Sequence, residues 1–299
     1  MAATRPAYDM DPFRSLVRSE GVRLYRDLPW RRTRDPYAIW ISEVMLQQTQ
    51  VPRVLTRWGE WLERFPNVEA LAAAPVADVL TAWQGMGYNR RALALKSASE
   101  QVVAEYGGHF PQDAKALRAL PGIGPATAQG IRAFAFDLPG VYLETNVRTV
   151  FLHHFFPDAP AVPDRELVPM VEAACPKGSH DCSQDARDTP RSWYYALLDY
   201  GAQLKKTVPN PSRRSSSYTR QSKFEGSRRQ KRAHIVRMLL TAQVVGEGLS
   251  LDDALAGVNQ MERAARREPV DSELVRSILD DLSREGFCTK MAEDLWTIA

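Results

Sequence analysis

A short string in the middle of the chain, Leu120-Pro121-Gly122-Ile123-Gly124-Pro125-Ala126-Thr127-Ala128, leaves the backbone few conformations. Its two glycines permit a close turn that presents backbone N–H groups, and Pro125 suits the first turn of a following helix. The N-terminus of that helix points the same way, so the turn can bind an anion, for which a DNA phosphate is the obvious candidate. Taken by itself, the pattern also fits an ordinary helix–helix corner. The sequence therefore predicts a helix from Asp113 to Ala119, a tight turn, and a second helix from Pro125 to Phe136.

The first two hundred residues contain short helical segments interrupted by glycine and proline, with few of the alternating patterns that indicate strands. Besides the two helices around the turn, we predict helices in four places: from Pro36 to about Val51, from Pro75 to Gly85, from about Arg91 to Tyr106, and from Trp193 to Leu204. The fold class is therefore all-α.

The composition is that of a globular protein, with 44% hydrophobic and 25% charged residues, and it excludes disordered, collagen-like and coiled-coil chains. A length of 299 residues suggests two domains. No stretch approaches the ~18 apolar residues of a membrane span, and the first thirteen residues do not resemble a signal peptide. Three cysteines fit a reducing compartment. We expect a cytoplasmic, nucleoid-associated monomer without a membrane segment.

The positive charge is concentrated in one segment. The net charge is only +3, so any affinity for nucleic acid must come from where the charges lie. The segment from Lys205 to Arg237 contains eleven basic residues and one acidic residue, Glu225. Such a run is often a solvated linker, but interleaved Tyr218 and Phe224 suit phosphate contact combined with stacking. We favour DNA contact, with these arginines as candidates: Arg213, Arg214, Arg228 and Arg229.

A second module follows the basic segment. Helical patterns cover Arg229–Leu240, Ser250–Val258 and Ser272–Glu285, and the last residues resemble a hairpin with a turn near Asp294. Three helices and a hairpin form a winged-helix pattern, and such modules either bind DNA or dock proteins. We therefore divide the chain into residues 1–204, a basic linker over 205–227, and a winged-helix-like module over 228–299.

Glu43 is the first candidate for catalysis. On a helix, Glu43, Gln47 and Gln50 share one polar stripe, while Trp40 and Val44 lie on a side that looks buried. A carboxyl group among amides and apolar side chains has the surroundings that raise a pKa into the range of a general acid. The alternative is a solvent-exposed amphipathic helix.

Glu144 is a second candidate, with Asn146 two residues later. Two carboxyl groups in different surroundings can divide the work, one protonating a leaving group and the other stabilising positive charge on a sugar. The alternative is that Glu144 only caps the helix containing Val147 and Val150.

Together these strings resemble the MutY-type adenine DNA glycosylases of the helix-hairpin-helix superfamily, which also contains endonuclease III. The resemblance runs from about Leu28 to Ala202. It rests on the hairpin, on Trp83-Gln84-Gly85-Met86-Gly87-Tyr88, and on nearly the whole string from Pro36 to Val51. It implies a helix-hairpin-helix glycosylase fold for residues 1–204.

The resemblance also implies residue roles. Glu43 is the acid that protonates adenine at N7 and later helps to position water, and Asn146 hydrogen-bonds the catalytic centre. Glu144 steadies the oxocarbenium-like sugar. Gln48, Thr49 and Tyr88 wedge into the base stack and touch the partner base, as expected of an enzyme that extrudes its substrate base. The further residues expected to contact DNA are Gln47, Arg90, Gly122, Gly124, Ala126 and Thr127.

The chain departs from the family pattern in four respects, and the first three concern Glu144, Ala126 and the ending. Glu144 stands where the family has Asp. Ala126 stands where lyase members carry Lys, so no Schiff base forms there and we expect a monofunctional enzyme. The family usually ends in a MutT-like domain that reads 8-oxoguanine, whereas this ending is shorter and helical.

The four cysteines of the family's iron–sulfur cluster are also missing. Their places hold Lys205, Ser212, Ser215 and Gln221, none of which supplies a thiolate. Cys175 and Cys182 share the spacing of the first two ligands but precede the helix, with Asp185 at a third place. His180 between them makes a zinc site conceivable, but too few ligands are visible. We expect no cofactor and no metal, with the basic linker in place of the cluster loop.

The sequence thus predicts a glycosylase in base excision repair that hydrolyses the N-glycosidic bond of adenine opposite 8-oxoguanine or guanine. Its partner is double-stranded DNA containing a mispaired or damaged base. Two alternatives stay open. One is a glycosylase for uracil, thymine, hypoxanthine or another damaged base, and the other is a non-catalytic DNA-binding protein on the same scaffold.

Overall fold

The computed structural model describes residues 9–177, 188–220, 222–292 and 294–299. Within these residues the chain forms fourteen α-helices and three short β-strands. The first seven helices are α1 (Met10–Arg23), α2 (Pro36–Met45), α3 (Val51–Arg64), α4 (Val68–Ala73), α5 (Val76–Ala82), α6 (Arg90–Tyr106) and α7 (Ala114–Ala119). The next four are α8 (Pro125–Phe136), α9 (Thr145–Phe155), α10 (Asp164–Ala174) and α11 (Pro190–Thr207). The last elements are α12 (Arg228–Val244), β1 (Leu249–Ser250), α13 (Leu251–Ala264), α14 (Ser272–Arg284), β2 (Cys288–Ala292) and β3 (Leu295–Ile298).

The chain divides into two compact units, and each is made of two separate stretches. Unit 1 comprises Met1–Trp58 and Phe110–Thr219, and unit 2 comprises Gly59–His109 and Arg220–Ala299. This division differs from the one expected from sequence, because residues 59–109 belong with the C-terminal residues. No composition shift marks those boundaries.

In the core of unit 1, α9 packs against α11 and α2 packs against α8, and α11 also contacts α8. A buried ion pair fixes the segment that leads into α2. Both terminal guanidinium nitrogens of Arg31 bind the carboxylate of Asp199 on α11, at 2.7 and 2.8 Å. The Asp35 side chain then accepts hydrogen bonds from the backbone N–H groups of Tyr37 and Ala38, so α2 begins at Pro36. The Arg31–Asp199 ion pair thus holds the segment before α2, and the Asp35 cap holds the first turn of α2.

The predicted helix, tight turn and helix are confirmed in unit 1. Asp113 caps α7 through the backbone N–H groups of Lys115 and Ala116. Gly122 adopts φ +74°, a left-handed conformation that glycine tolerates without strain. Gly124 is the residue before α8, and α8 ends at Phe136 as predicted.

The helix predicted from Pro36 to about Val51 is wrong in one respect, because α2 ends at Met45 and a new helix, α3, begins at Val51. Gln48 in the break adopts φ +56°, which interrupts the helix. Glu43 and Gln50 therefore do not share a stripe on a single helix. The apolar periodicity continues through the break, so the pattern alone did not reveal it.

In unit 2, α4 and α5 pack against α6, and α12 packs against β3, α13 and α14. The strands form an antiparallel sheet in the order β1-β3-β2, with Trp296 of β3 opposite Leu249 and Lys290. The predicted three helices and terminal hairpin are thus present. Their assignment as a winged helix stays a prediction.

Part of the segment expected to be a linker is packed on unit 1. The helix α11 continues to Thr207, and Pro211–Arg214 forms a 3₁₀-helix that contacts α9. Val162 donates to the Arg214 carbonyl at 2.7 Å and accepts from the Ser216 N–H at 3.0 Å. These backbone bonds hold the segment in place as far as Ser216. Among the described residues, no helix is long and apolar enough to cross a membrane.

Candidate active site

Glu43 and Tyr142 form the centre of the candidate site. Glu43 lies in the last turn of α2, and its Oε2 accepts a hydrogen bond from the Tyr142 hydroxyl at 2.9 Å. The Tyr142 ring is buried and contacts Phe134 and Tyr194 edge-on, with centroids 5.2 and 5.3 Å away. The aromatic packing thus fixes the hydroxyl that holds the carboxyl group.

Gly130 leaves the space that Glu43 occupies. A Cβ atom at Gly130, in the middle of α8, would lie 2.3 Å from Glu43 Oε2 and 3.0 Å from the Tyr142 ring. Any larger residue would therefore displace the carboxyl group. Neither Gly130 nor Tyr142 was identified from sequence. A glycine inside a helix does signal a close approach, but nothing in the spacing linked Tyr142 to an acid 99 positions away.

The surroundings of Glu43 make it an acid at neutral pH. Burial raises the pKa of the Glu43 carboxyl to about 8, although the hydrogen bond from Tyr142 acts in the opposite direction, and the charge of Glu144 adds to the rise. A carboxyl group with a pKa of about 8 keeps its proton at pH 7 and can donate it to a leaving group. The surroundings of Glu43 therefore have the property that the sequence predicted.

Glu144 caps α9, as one of the two interpretations of the sequence predicted. Its Oε1 accepts from the backbone N–H groups of Asn146 and Val147 at 2.6 and 3.0 Å. Burial raises the pKa of this carboxyl, while those two backbone bonds and the charges of Lys205 and Arg148 lower it. The cap also orients the carboxyl group, so capping and catalysis do not exclude one another.

Asn146 lies where α9 and α11 approach closely. A Cβ atom at Gly201 of α11 would lie 2.2 Å from the Asn146 carbonyl oxygen. The Asn146 Nδ2 donates to Glu144 Oε2 at 3.4 Å, whereas its Oδ1 is buried and has no hydrogen-bond partner among the described residues. A buried acceptor without a donor is costly in a folded protein, so a ligand that donates to Asn146 Oδ1 would remove that cost.

A cavity of about 910 Å³ opens in unit 1 between α1 and the start of α11. Its lining includes Tyr25, Arg31, Arg191 and Tyr195. The Tyr195 ring stacks on Phe134 at 4.3 Å, and Phe134 in turn contacts Tyr142. Aromatic and guanidinium groups thus line a space that is linked by packing to the Glu43 site.

The predicted DNA-contacting residues of unit 1 lie in two places. Gln47 Nε2 donates to Thr127 Oγ1 at 3.2 Å, which joins the end of α2 to the first turn of α8. Gly122, Gly124 and Ala126 lie in the hairpin and the start of α8, and Gln48 and Thr49 lie in the break between α2 and α3. The hydrogen bond between Gln47 and Thr127 therefore connects the helix that carries Glu43 to the helix that follows the hairpin, within unit 1.

The arginines predicted to contact DNA are mostly engaged within the protein. Arg214 donates to the carbonyl oxygens of Leu152 and Pro157 at the end of α9. Arg228 binds Asp281 at 2.5 Å, and Arg90 binds Glu285 at 2.6 Å. Arg213 is exposed. Charge density did not predict these partners, because the acids lie far along the chain.

Tyr88 and Arg229 contact one another in unit 2. Arg229 Nη1 donates to the Tyr88 hydroxyl at 2.8 Å. The resemblance implied a role for Tyr88, but the sequence did not indicate that a residue of the C-terminal module would hold it.

The described part of the chain contains no group of three or more His, Cys, Asp and Glu side chains placed to hold a metal ion. Cys175 is buried, and burial raises the pKa of its thiol. Cys182, His180 and Asp185 lie outside the described residues, as does Gln221. Ser212 and Ser215 are buried in unit 1.

Replacing Tyr142 by Phe tests how Glu43 is held. The hydroxyl favours the ionised form of Glu43, so its loss should raise the pKa of Glu43 above about 8. In the pH profile of the single-turnover rate, we expect the alkaline limb to move to higher pH. The rate at pH 7 should fall roughly tenfold, because Glu43 is less well oriented without the hydroxyl. Tyr200→Phe is the control, since that hydroxyl contacts His154 instead. An alkaline limb that stays in place would contradict this geometry.

Residues 41–168 match the family described as HhH-GPD superfamily base excision DNA repair protein. An adenine DNA glycosylase of Mycobacterium tuberculosis is 34% identical over 277 residues, which cover 86% of this chain and 88% of that protein. An adenine DNA glycosylase of Mycolicibacterium smegmatis is 44% identical over 180 residues, 59% of this chain and 58% of that one. A solved structure of a thermostable thymine-DNA glycosylase has a TM-score of 0.56 and 24% identity, over 67% of this chain and 88% of that chain. At that identity the likeness indicates a shared fold and nothing about the substrate.

Proposed function

This chain belongs to the MutY-type adenine DNA glycosylases of the HhH-GPD superfamily, and we propose that it excises adenine paired with 8-oxoguanine or guanine. The reaction is hydrolysis of an N-glycosidic bond in duplex DNA, a step of base excision repair. The observation that carries the proposal is the Glu43 carboxyl, held by Tyr142 and with its pKa raised to about 8.

The proposed reaction begins with the Glu43 proton. Glu43 donates it to N7 of the extruded adenine, so that the base leaves without negative charge as the bond to C1′ breaks. The Glu144 carboxylate faces the positive charge that develops on the sugar. Water then adds to C1′, and its proton returns to Glu43.

The cap geometry supports Glu144 in place of the family's aspartate. Two backbone N–H groups hold Oε1, which leaves Oε2 beside Asn146 as the oxygen that faces the sugar. The charges of Lys205 and Arg148 favour its ionised form. The longer side chain is therefore fixed at one oxygen, and these charges oppose the rise in its pKa that burial causes.

The enzyme acts on DNA as a monomer and leaves an abasic site without cutting the strand. Ala126 supplies no amine for a Schiff base, so the lyase route through that position is closed. The proposal includes no iron–sulfur cluster, because the places of its four ligands hold Lys205, Ser212, Ser215 and Gln221, none of which supplies a thiolate.

The test is a single-turnover assay on labelled duplexes, each with one test base, followed by alkali to cut at abasic sites. The panel holds adenine opposite 8-oxoguanine, guanine and thymine, then uracil and thymine opposite guanine, and hypoxanthine. We expect alkali-dependent cleavage confined to adenine opposite 8-oxoguanine or guanine. Cleavage at another base would assign a different specificity, and tight binding without any cleavage would overturn the proposal.

A further inference from the structure

An exposed stack of two aromatic rings around one guanidinium lies in unit 2. The Cζ of Arg229 is 5.3 Å from the centroid of the Tyr88 ring and 5.6 Å from that of Phe224. Its nitrogens donate to the Tyr88 hydroxyl at 2.8 Å and to the Ser222 carbonyl at 3.0 Å. Tyr88 is 36% exposed and Phe224 48% exposed, so large apolar surface next to a positive charge faces the solvent.

The backbone beneath this stack is strained. Tyr88 adopts φ +49°, after Gly85 at +83° and Gly87 at +71°. A second guanidinium, that of Arg91, lies 5.5 Å from the Tyr88 ring centroid and donates to the carbonyl oxygen of Gly87 at 3.1 Å. A tyrosine at positive φ persists only where its surroundings hold it, and such residues cluster at ligand clamps.

Ion pairs fix the helix that carries Arg229. Glu285 of α14 binds Arg90 of α6 at 2.6 Å and Arg232 of α12 at 2.5 Å. Arg228 binds Asp281, one turn before Glu285. The N-termini of α6 and α12 are therefore held by the same helix, and the position of Arg229 beside Tyr88 does not depend on the loop alone.

The chemistry of the stack suits an unpaired nucleobase. Aromatic faces and arginine planes stack on bases that are free of a partner, and the positive charge attracts the backbone. Extrusion of one base from a duplex leaves its partner without a pair. Among the described contacts, two of the five N–H donors of Arg229 are used, and a guanidinium recognises the O6 and N7 acceptors of guanine.

We propose that the stack around Arg229 binds an unpaired purine in DNA, with Arg229 holding Tyr88 in place and donating to the edge of that base. This inference rests on the proposed function, because it requires a duplex from which one base has been extruded. It assigns to the C-terminal module a part in reading the DNA, where the sequence left DNA binding and protein docking as alternatives.

The experiment measures equilibrium binding, so that catalysis does not enter. The duplexes carry a tetrahydrofuran abasic analogue opposite 8-oxoguanine, guanine or cytosine, and binding is followed by fluorescence anisotropy. The variants are Arg229→Ala and Arg229→Lys. The control is Arg237→Ala, which removes an exposed positive charge from the same helix. Thermal melting checks that each variant is folded.

We expect the wild-type protein to prefer a purine opposite the abasic analogue. Arg229→Ala and Arg229→Lys should both reduce that preference ~10- to 100-fold, because lysine keeps the charge but not the plane or the paired donors. Arg237→Ala should weaken binding to all three duplexes by one common factor. A preference fully restored by Arg229→Lys, or unchanged in Arg229→Ala, would overturn the inference. A wild-type protein without any preference would also overturn the inference, whereas the excision assay on the base panel tests the proposed function separately.

Discussion

Replacing Glu43 by Gln should lower the single-turnover rate of adenine excision by about 10²- to 10⁴-fold and leave the affinity for the duplex nearly unchanged. Glutamine has the same shape, and its carbonyl oxygen can still accept from the Tyr142 hydroxyl, but it has no acidic proton to donate. The measurement is a single-turnover rate with saturating enzyme, together with anisotropy binding to the same duplex. Excision at the wild-type rate would exclude Glu43 as the acid.

The same variant has a second expected effect, on stability. Because burial raises the pKa of Glu43 to about 8 in the folded protein, ionisation of this group destabilises the fold as pH rises from about 4.5 to about 8. The Gln variant lacks that effect. Its melting temperature should therefore match that of the wild type near pH 4 and exceed it near pH 9. The corresponding difference in the free energy of unfolding is about 1.4 kcal/mol for each unit by which the pKa of Glu43 differs between the folded and unfolded states. A gap that does not grow with pH would contradict the raised pKa.

Two substitutions of Glu144 distinguish its effect on stability, as a helix cap, from its effect on the excision rate. Glu144→Gln keeps an oxygen that can accept from the backbone N–H groups of Asn146 and Val147, but removes the negative charge. We expect nearly unchanged stability and a rate lowered about 100-fold, since the charge that faces the sugar is lost. Glu144→Ala should lower the rate similarly and also lose about 1 kcal/mol of unfolding free energy with the cap.

The control for Glu144 is a cap without a catalytic part. Asn67 caps α4 by accepting from the Ala70 N–H at 2.8 Å. Asn67→Ala should lose a similar amount of stability, measured by urea denaturation, while the excision rate stays at the wild-type value. If Glu144→Gln excised adenine as fast as the wild type, Glu144 would be a cap and nothing more.

Sequence reasoning predicted the parts of this site that depend on local pattern. The hairpin around Gly122 and Gly124 was predicted to within a residue, because proline and glycine restrict the backbone locally. Glu43 was identified because its neighbours form a specific string. The three helices and hairpin of the C-terminal module follow from periodicity.

The parts that sequence reasoning missed depend on contacts far along the chain. Tyr142 and Gly130 reach Glu43 through the packing of α2 against α8, which no local pattern shows. The break at Gln48 was missed because a left-handed residue does not interrupt apolar periodicity. The ion pair between Arg228 and Asp281, 53 residues away, was likewise not predicted, and the contact of Arg228 with DNA stays a prediction.

The divided construction of unit 2 has a consequence for biosynthesis. Helices α4 to α6 are translated as part of Gly59–His109, but the residues that complete their unit, Arg220–Ala299, follow only after the remainder of unit 1. At about 5–20 residues per second, these helices wait on the order of 10 s on the ribosome for their partners. A nonsense codon shortly after Thr219 would yield a polypeptide that carries Glu43, Tyr142 and Glu144 but leaves that inserted stretch uncovered. Such a product is a target for chaperones and proteases although every proposed catalytic residue is present.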